Sequence, residues 1–247
     1  MKRIAPLVFV AIIAVLAFSC SKEDSIHNDP ASGYKIKTYS EALYIPGLLD
    51  STESFDLIYD NQDRIIRLQS TTSPGTRIQY TYSGDQYVME FIIDGHLSIH
   101  NTCYLNHLSL VDSSIQYEYN DTTITRYIYN DNKQLVQQRL YDYTKFLGAK
   151  LFKTITYTYD VNGLLAGETD GTVVTTYKYD RVINNTVNAG MPYMPLPKQL
   201  PTQAIHVNVL DTETTDYTYN FDSKNRLIND VAVESNGVTR TRTYTYF

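Results

Sequence analysis

The stretch Thr154-Ile155-Thr156-Tyr157-Thr158-Tyr159-Asp160-Val161-Asn162-Gly163-Leu164-Leu165 decides the fold. Its first six residues alternate strictly, so period-two geometry puts Ile155, Tyr157 and Tyr159 on one face and three threonines on the other. Asp160 to Gly163 then reads as a tight turn. An aspartate there accepts hydrogen bonds from the backbone N–H groups just ahead of it, and a glycine tolerates the left-handed backbone that a bulged hairpin turn demands. The branched pair Leu164-Leu165 opens the next strand.

The same unit returns along the chain. Tyr59-Asp60-Asn61-Gln62-Asp63-Arg64-Ile65, Tyr129-Asn130-Asp131-Asn132-Lys133-Gln134-Leu135 and Phe221-Asp222-Ser223-Lys224-Asn225-Arg226-Leu227 are further copies, which makes this an internal repeat. The fifth position holds Asp63, Lys133, Gly163 and Asn225; Lys133 alone is of a type that does not favour left-handed backbone. Two-faced strands are predicted at Ile115-Tyr117-Tyr119, Tyr127-Tyr129, Tyr177-Tyr179, Tyr217-Tyr219 and Tyr244-Tyr246. Neighbouring strands in sequence tend to pair, so the expected architecture is all-β: one large antiparallel meander of hairpins, curled into a closed or nearly closed barrel.

Composition agrees. The 247 residues include 23 tyrosines and no tryptophan, with Thr, Val and Ile filling much of the rest, the set that suits a pleated, half-buried surface. Lys145 to Lys153 is the one short stretch with any helical character.

The chain opens with Lys2 and Arg3, an apolar run from Ile4 to Phe18, and then Ser19-Cys20 followed by charge. The run is shorter than the roughly 20 residues of a membrane-spanning helix, and reads as an export signal over residues 1–19. Leu16-Ala17-Phe18-Ser19-Cys20 resembles a lipobox, which implies cleavage before Cys20 and acylation of that cysteine. Residues 20–33 read as a polar tether and residues 34–247 as a single β domain. Ser21-Lys22-Glu23-Asp24-Ser25 resembles the export tag of Bacteroidetes lipoproteins carried to the outer face of the outer membrane; the alternative is the periplasm-facing leaflet.

The formal net charge is −6, and loss of Lys2 and Arg3 with the leader leaves 19 basic against 27 acidic residues, a net charge near −8. That excludes nucleic acid as the expected partner. With Cys20 acylated, Cys103 has no cysteine to pair with, and stability rests on the sheet and its core.

The turn unit resembles the Tyr-Asp repeat of Rhs-type wall-associated proteins, in which Tyr-Asp and two variable positions precede Gly-Arg-Leu; Gly163 supplies the glycine, and Arg64 and Arg226 the arginine. Taken with the lipobox and acidic tag, the chain is similar to a family of Bacteroidetes lipoproteins of unknown function, described as having a porin-like β fold and sometimes labelled lipid-binding. The resemblance implies a single curled antiparallel sheet without an assigned active site. A membrane-embedded barrel is disfavoured, because the outward faces carry Thr, Lys, Arg and Gln where a lipid-facing apolar band about 25 Å tall is required.

Candidate chemistry is sparse. His96 and His100 fall on one strand face, but no third ligand is marked by spacing, and no metal or cofactor is expected. Cys103 lies near His100 and His107 and reads as a buried, inert thiol rather than a nucleophile. The turn aspartates read as caps. The irregular region is 184–214, where Met191-Pro192-Tyr193-Met194-Pro195-Leu196-Pro197 exposes apolar side chains; Met191, Tyr193, Met194 and Leu196 are the expected ligand contacts, as a lid over a barrel mouth, a partner-contact loop or a cover for the sheet. These features point to a non-enzymatic envelope lipoprotein that binds an amphiphilic or lipid-like small molecule, with glycan capture and a purely adhesive role as alternatives.

Overall fold

A computed structural model describes residues 35–48, 50–180, 183 and 199–247. The leader, Cys20, the tether and Met191, Tyr193, Met194 and Leu196 lie outside the described residues.

Sixteen antiparallel strands close a barrel in strict sequence order. They are β1 (Ile36–Tyr44), β2 (Ser51–Tyr59), β3 (Ile65–Ser70), β4 (Arg77–Ser83), β5 (Gln86–Ile93), β6 (His96–Leu105), β7 (Val111–Glu118) and β8 (Asp121–Tyr129). The second half comprises β9 (Leu135–Thr144), β10 (Gly148–Tyr159), β11 (Leu165–Thr169), β12 (Val174–Lys178), β13 (Gln203–Val207), β14 (Thr212–Phe221), β15 (Leu227–Glu234) and β16 (Thr239–Tyr246). β1 pairs with β16 from Ile36↔Tyr246 to Tyr44↔Thr239, and Thr38 and Thr245 share a hydroxyl hydrogen bond of 2.5 Å across the seam. Closure leaves no unpaired edge in the ring. Lys145 to Lys153 belongs to the β9–β10 hairpin rather than to a helix, because Gly148, at φ +70°, turns the chain back on itself.

The repeated turns all lie at one end of the barrel, after even-numbered strands. In each of the four copies one side-chain oxygen of the leading Asp or Asn accepts from the N–H four residues on: Arg64 to Asp60 at 2.9 Å, Gln134 to Asn130 at 2.9 Å, Leu164 to Asp160 at 2.8 Å and Arg226 to Asp222 at 2.9 Å. Asp63, Lys133, Gly163 and Asn225 all take positive φ, Lys133 included at +59°. A fifth copy stands at Leu105-Asn106-His107-Leu108-Ser109-Leu110-Val111, with Asn106 accepting from Leu108 and Leu110 and Ser109 at φ +56°.

Within the stretch 184–214, Gln203–Val207 forms β13, paired on both sides with β12 and β14. The proline run had masked it; Pro201 ends where the ladder starts. This connection leaves β12 and rejoins β13 at the tyrosine-turn end, and the Leu200 N–H donates to the Ile183 carbonyl at 2.8 Å there.

A sixteen-stranded porin encloses an aqueous channel, but much of this interior is dry. Phe55, Leu68, Ile78, Tyr87, Phe91 and Ile99 are all less than 6 % exposed and belong to one cluster that runs from β1 through β7 and includes Leu227 and Tyr244 on β15 and β16. Lumen-facing aromatic rings stay that dry only where side chains fill the space in front of them.

Candidate functional site: a polar chamber at the barrel mouth

The interior changes character between β6 and β9. On β7 the Ile115-Tyr117 face is turned the opposite way to the Ile155-Tyr157 face of β10: Tyr157 is 6 % exposed, whereas Tyr117 is 49 % exposed and its neighbour Ser114 is 3 % exposed. Tyr119 lies beyond the strand, at φ +52° in the β7–β8 turn. Alternation therefore sends Ser114, Gln116 and Glu118 inward, and an alternating strand looks the same whichever face meets the lumen. Cross-strand register aligns Asn101, Gln116, Thr123 and Asp142 in one inward row over β6 to β9.

Gln116, Thr123 and Asp142 of this row line a cavity of about 450 Å³ at the end opposite the repeated turns, together with Glu118, Asp121, Thr122, Tyr143 and Thr144. Its lining is rich in hydrogen-bond acceptors: three carboxylates, an amide and threonine hydroxyls. Tyr143 at the mouth is 44 % exposed and Tyr119 is 83 % exposed. Asn101, 4 % exposed, leaves its Oδ1 without a hydrogen-bond partner. Such a cavity can hold a polar group that donates hydrogen bonds, with an apolar or ring-shaped part against Tyr143.

Two charged groups occur elsewhere in the lumen. Asp230, 1 % exposed, accepts from Arg242 Nε at 2.8 Å and Tyr244 Oη at 3.0 Å. Glu41, beside it on β1, accepts from Tyr39 Oη at 2.5 Å and lies 3.4 Å from Arg240 Nε. On β11, burial pushes the Glu168 carboxyl up to about 7, against the opposing pull of the Tyr177 hydroxyl and the Lys153 ammonium. Lys153 is itself bound to Asp170 at 2.8 Å.

The thiol and imidazoles are not assembled for chemistry. Cys103 is 1 % exposed on the lumen face, and burial pushes its pKa up to about 11. His100 lies on the opposite face of β6, 3.3 Å from Glu90 and 3.3 Å from the Thr102 hydroxyl. A raised thiol pKa disfavours the reactive thiolate. Among the described residues, no group of three or more His, Cys, Asp or Glu side chains converges as a metal site would require.

No protein-family model matches the chain, and no curated protein matches its sequence. Solved structures that share the fold include two porin-like proteins. A porin-like protein from Bacteroides uniformis superposes with a TM-score of 0.62 at 18 % identity, covering 86 % of this chain and 98 % of that one. A porin-like protein from Bacteroides vulgatus gives a TM-score of 0.51 at 14 % identity over 86 % of this chain and 98 % of that one. The chain is thus a closed sixteen-stranded barrel of porin-like fold.

Proposed function

We propose that this chain is a non-enzymatic lipoprotein of the cell envelope, acylated on Cys20, exposed at the outer-membrane surface, and built to hold a small amphiphilic molecule in the chamber at its mouth. The observation that carries the ligand reading is the chamber: a polar, acceptor-rich lining of Gln116, Glu118, Thr123 and Asp142 together with half-exposed Tyr143. A donor-bearing head group satisfies the polar lining, and an apolar portion rests on the Tyr143 ring.

The wall supports a barrel standing in water. Asp56, Arg126, Arg139 and Asp216 point outward from mid-strand and are exposed, and charges at those depths are incompatible with a continuous lipid-facing band. The acyl chains on Cys20 then provide the anchor. Met191, Tyr193, Met194 and Leu196 belong to a connection that starts and returns at the tyrosine-turn end, so their proposed role is to cover that end, with any ligand contact made there and not at the chamber mouth.

A second reading is glycan capture, favoured by Tyr143 beside Asp142, an aromatic face next to a carboxylate that accepts from sugar hydroxyls. Both readings meet one experiment. The chain from Ser21 is purified natively, denatured, and its extract analysed by mass spectrometry, in parallel with the Glu118→Gln/Asp142→Ala variant. A stoichiometric amphiphile, lost from the variant, supports the carrier. An empty chamber that takes up soluble oligosaccharide in calorimetry moves the assignment to glycan. Neither result, in folded protein, leaves an adhesive surface role and overturns the ligand reading.

A further inference from the structure

The reversal on β7 has an outer side. Ile115, Ile124, Tyr141 and Leu151 fall in one outward cross-strand row over β7 to β10, with Leu151 47 % exposed, while their neighbours Gln116, Thr123 and Asp142 point inward. Polar inside and apolar outside is the alternation of a strand that faces lipid, here over the mouth-side part of these strands, since Arg126 and Arg139 face outward further along β8 and β9.

The β9–β10 hairpin carries that sector beyond the rim. At its tip Phe146 is 94 % exposed and Leu147 is 85 % exposed, an arrangement that soluble surfaces avoid in contiguous form. Lys145 precedes the tip, a basic residue on a chain that is acidic as a whole, whereas Lys150 stands in register with inward-facing Asp142 and belongs to the lumen side. Val209 and Leu210, on the β13–β14 turn at the same end, are 91 % and 95 % exposed.

We propose that the β9–β10 hairpin and the row beneath it dock onto a lipid surface bearing anionic head groups, with Phe146 and Leu147 entering the acyl region and Lys145 at head-group level. Lysines beside buried aromatic and aliphatic side chains are the chemistry of interfacial insertion. Two apolar tips on separate hairpins suit a deformable bilayer, whereas a folded partner needs a continuous complementary face. The thirteen residues from Ser21 to Gly33 reach at most about 45 Å when extended, more than the roughly 30 Å length of a nine-residue strand. The mouth end can therefore turn toward the membrane that holds Cys20. The docking does not depend on the chamber having a ligand, but it opens the chamber where amphiphiles reside.

The test is flotation of the unacylated chain from Ser21 with vesicles of phosphatidylcholine, with and without phosphatidylglycerol, at low and high salt. The unaltered chain is expected to float with the anionic vesicles. Phe146→Asp/Leu147→Asp lowers its partition coefficient at least tenfold, and Lys145→Glu removes the preference for anionic lipid. Val161→Asp, a fully exposed turn position at the far end, changes neither. Thermal unfolding confirms that each variant is folded. Absence of flotation overturns the proposal, as does equal flotation by the tip variants. A dimer in gel filtration that the tip variant splits, without vesicle binding, makes the surface a contact between copies and also overturns it.

Discussion

Tyr159 Oη donates to the backbone carbonyl of Leu135 at 2.8 Å, tying the last residue of β10 to the first residue of β9. The same bond recurs around the tyrosine-turn end: Tyr59 to Ile36, Tyr82 to Ile65, Tyr129 to Val111, Tyr179 to Leu165, Tyr219 to Pro201 and Tyr246 to Leu227. Each tyrosine closes the open end of a hairpin whose two strands join at the mouth. Arg64 and Arg226 lie over the rings of Tyr82 and Tyr246, at 4.3 and 4.6 Å, so the repeat's arginine braces the tyrosine of the next hairpin. The β5–β6 hairpin has Leu105 at this position.

Removing one hydroxyl tests the ladder. Tyr159→Phe is expected to cost about 0.5–1.5 kcal/mol, read as a lower urea midpoint at unchanged slope. Tyr159→Phe/Tyr246→Phe should cost the sum, since the two sites share no partner.

The left-handed positions of the turns predict opposite signs at two equivalent residues. Gly163→Ala strains a φ of +77° and crowds Gln134 Nε2, which would lie 3.1 Å from the new methyl; a loss of about 1–2 kcal/mol is expected. Lys133→Gly relieves a φ of +59° and is expected to gain about 0.5–1 kcal/mol. Paired thermal melts check both.

Buried Asp230 forms an ion pair with Arg242, whose side chain is 24 % exposed, 2.7 Å from Arg242 Nη2 to Asp230 Oδ1. Asp230→Ala takes the carboxylate from Arg242 and from the buried Tyr244 hydroxyl, and a loss of about 1–3 kcal/mol follows. The double variant Asp230→Ala/Arg242→Met should recover part of that loss, which a double-mutant cycle measures.

Glu168 sets a pH dependence. In the folded protein burial raises its pKa to about 7, above the ordinary glutamate value of 4.5, so between these values the native state holds a proton that the unfolded chain has released. Stability therefore falls as pH rises through that window and levels off above it. Glu168→Gln should flatten the fall and make the protein more stable than the parent at pH 8, measured by denaturant unfolding from pH 4 to 8.

The turn unit and the tyrosine alternation were legible because both are local: Asp160, Asn162 and Gly163 act within a few residues of one another. The closed ring was anticipated, but strand number and seam were not, since the contact between Thr38 and Thr245 joins the two ends of the sheet. The copy at Asn106 escaped because Leu105 replaces the aromatic and Ser109 takes the left-handed position. The chamber escaped for a deeper reason. Ile115 and Tyr117 repeat the apolar alternation of Ile155 and Tyr157, and only pairing with β6 and β8 decides that on β7 this face turns outward.

The central claim is that the barrel is a water-standing body tied to the membrane through Cys20. It is tested most directly by producing the chain from Ser21 without an acyl group and recording its unfolding in detergent-free buffer. A cooperative transition of a soluble β protein, with the Asp56, Arg126 and Asp216 wall in water, is the predicted result. A chain that aggregates without detergent and gains its β structure only in micelles or bilayers would contradict the account and make the barrel an integral membrane protein.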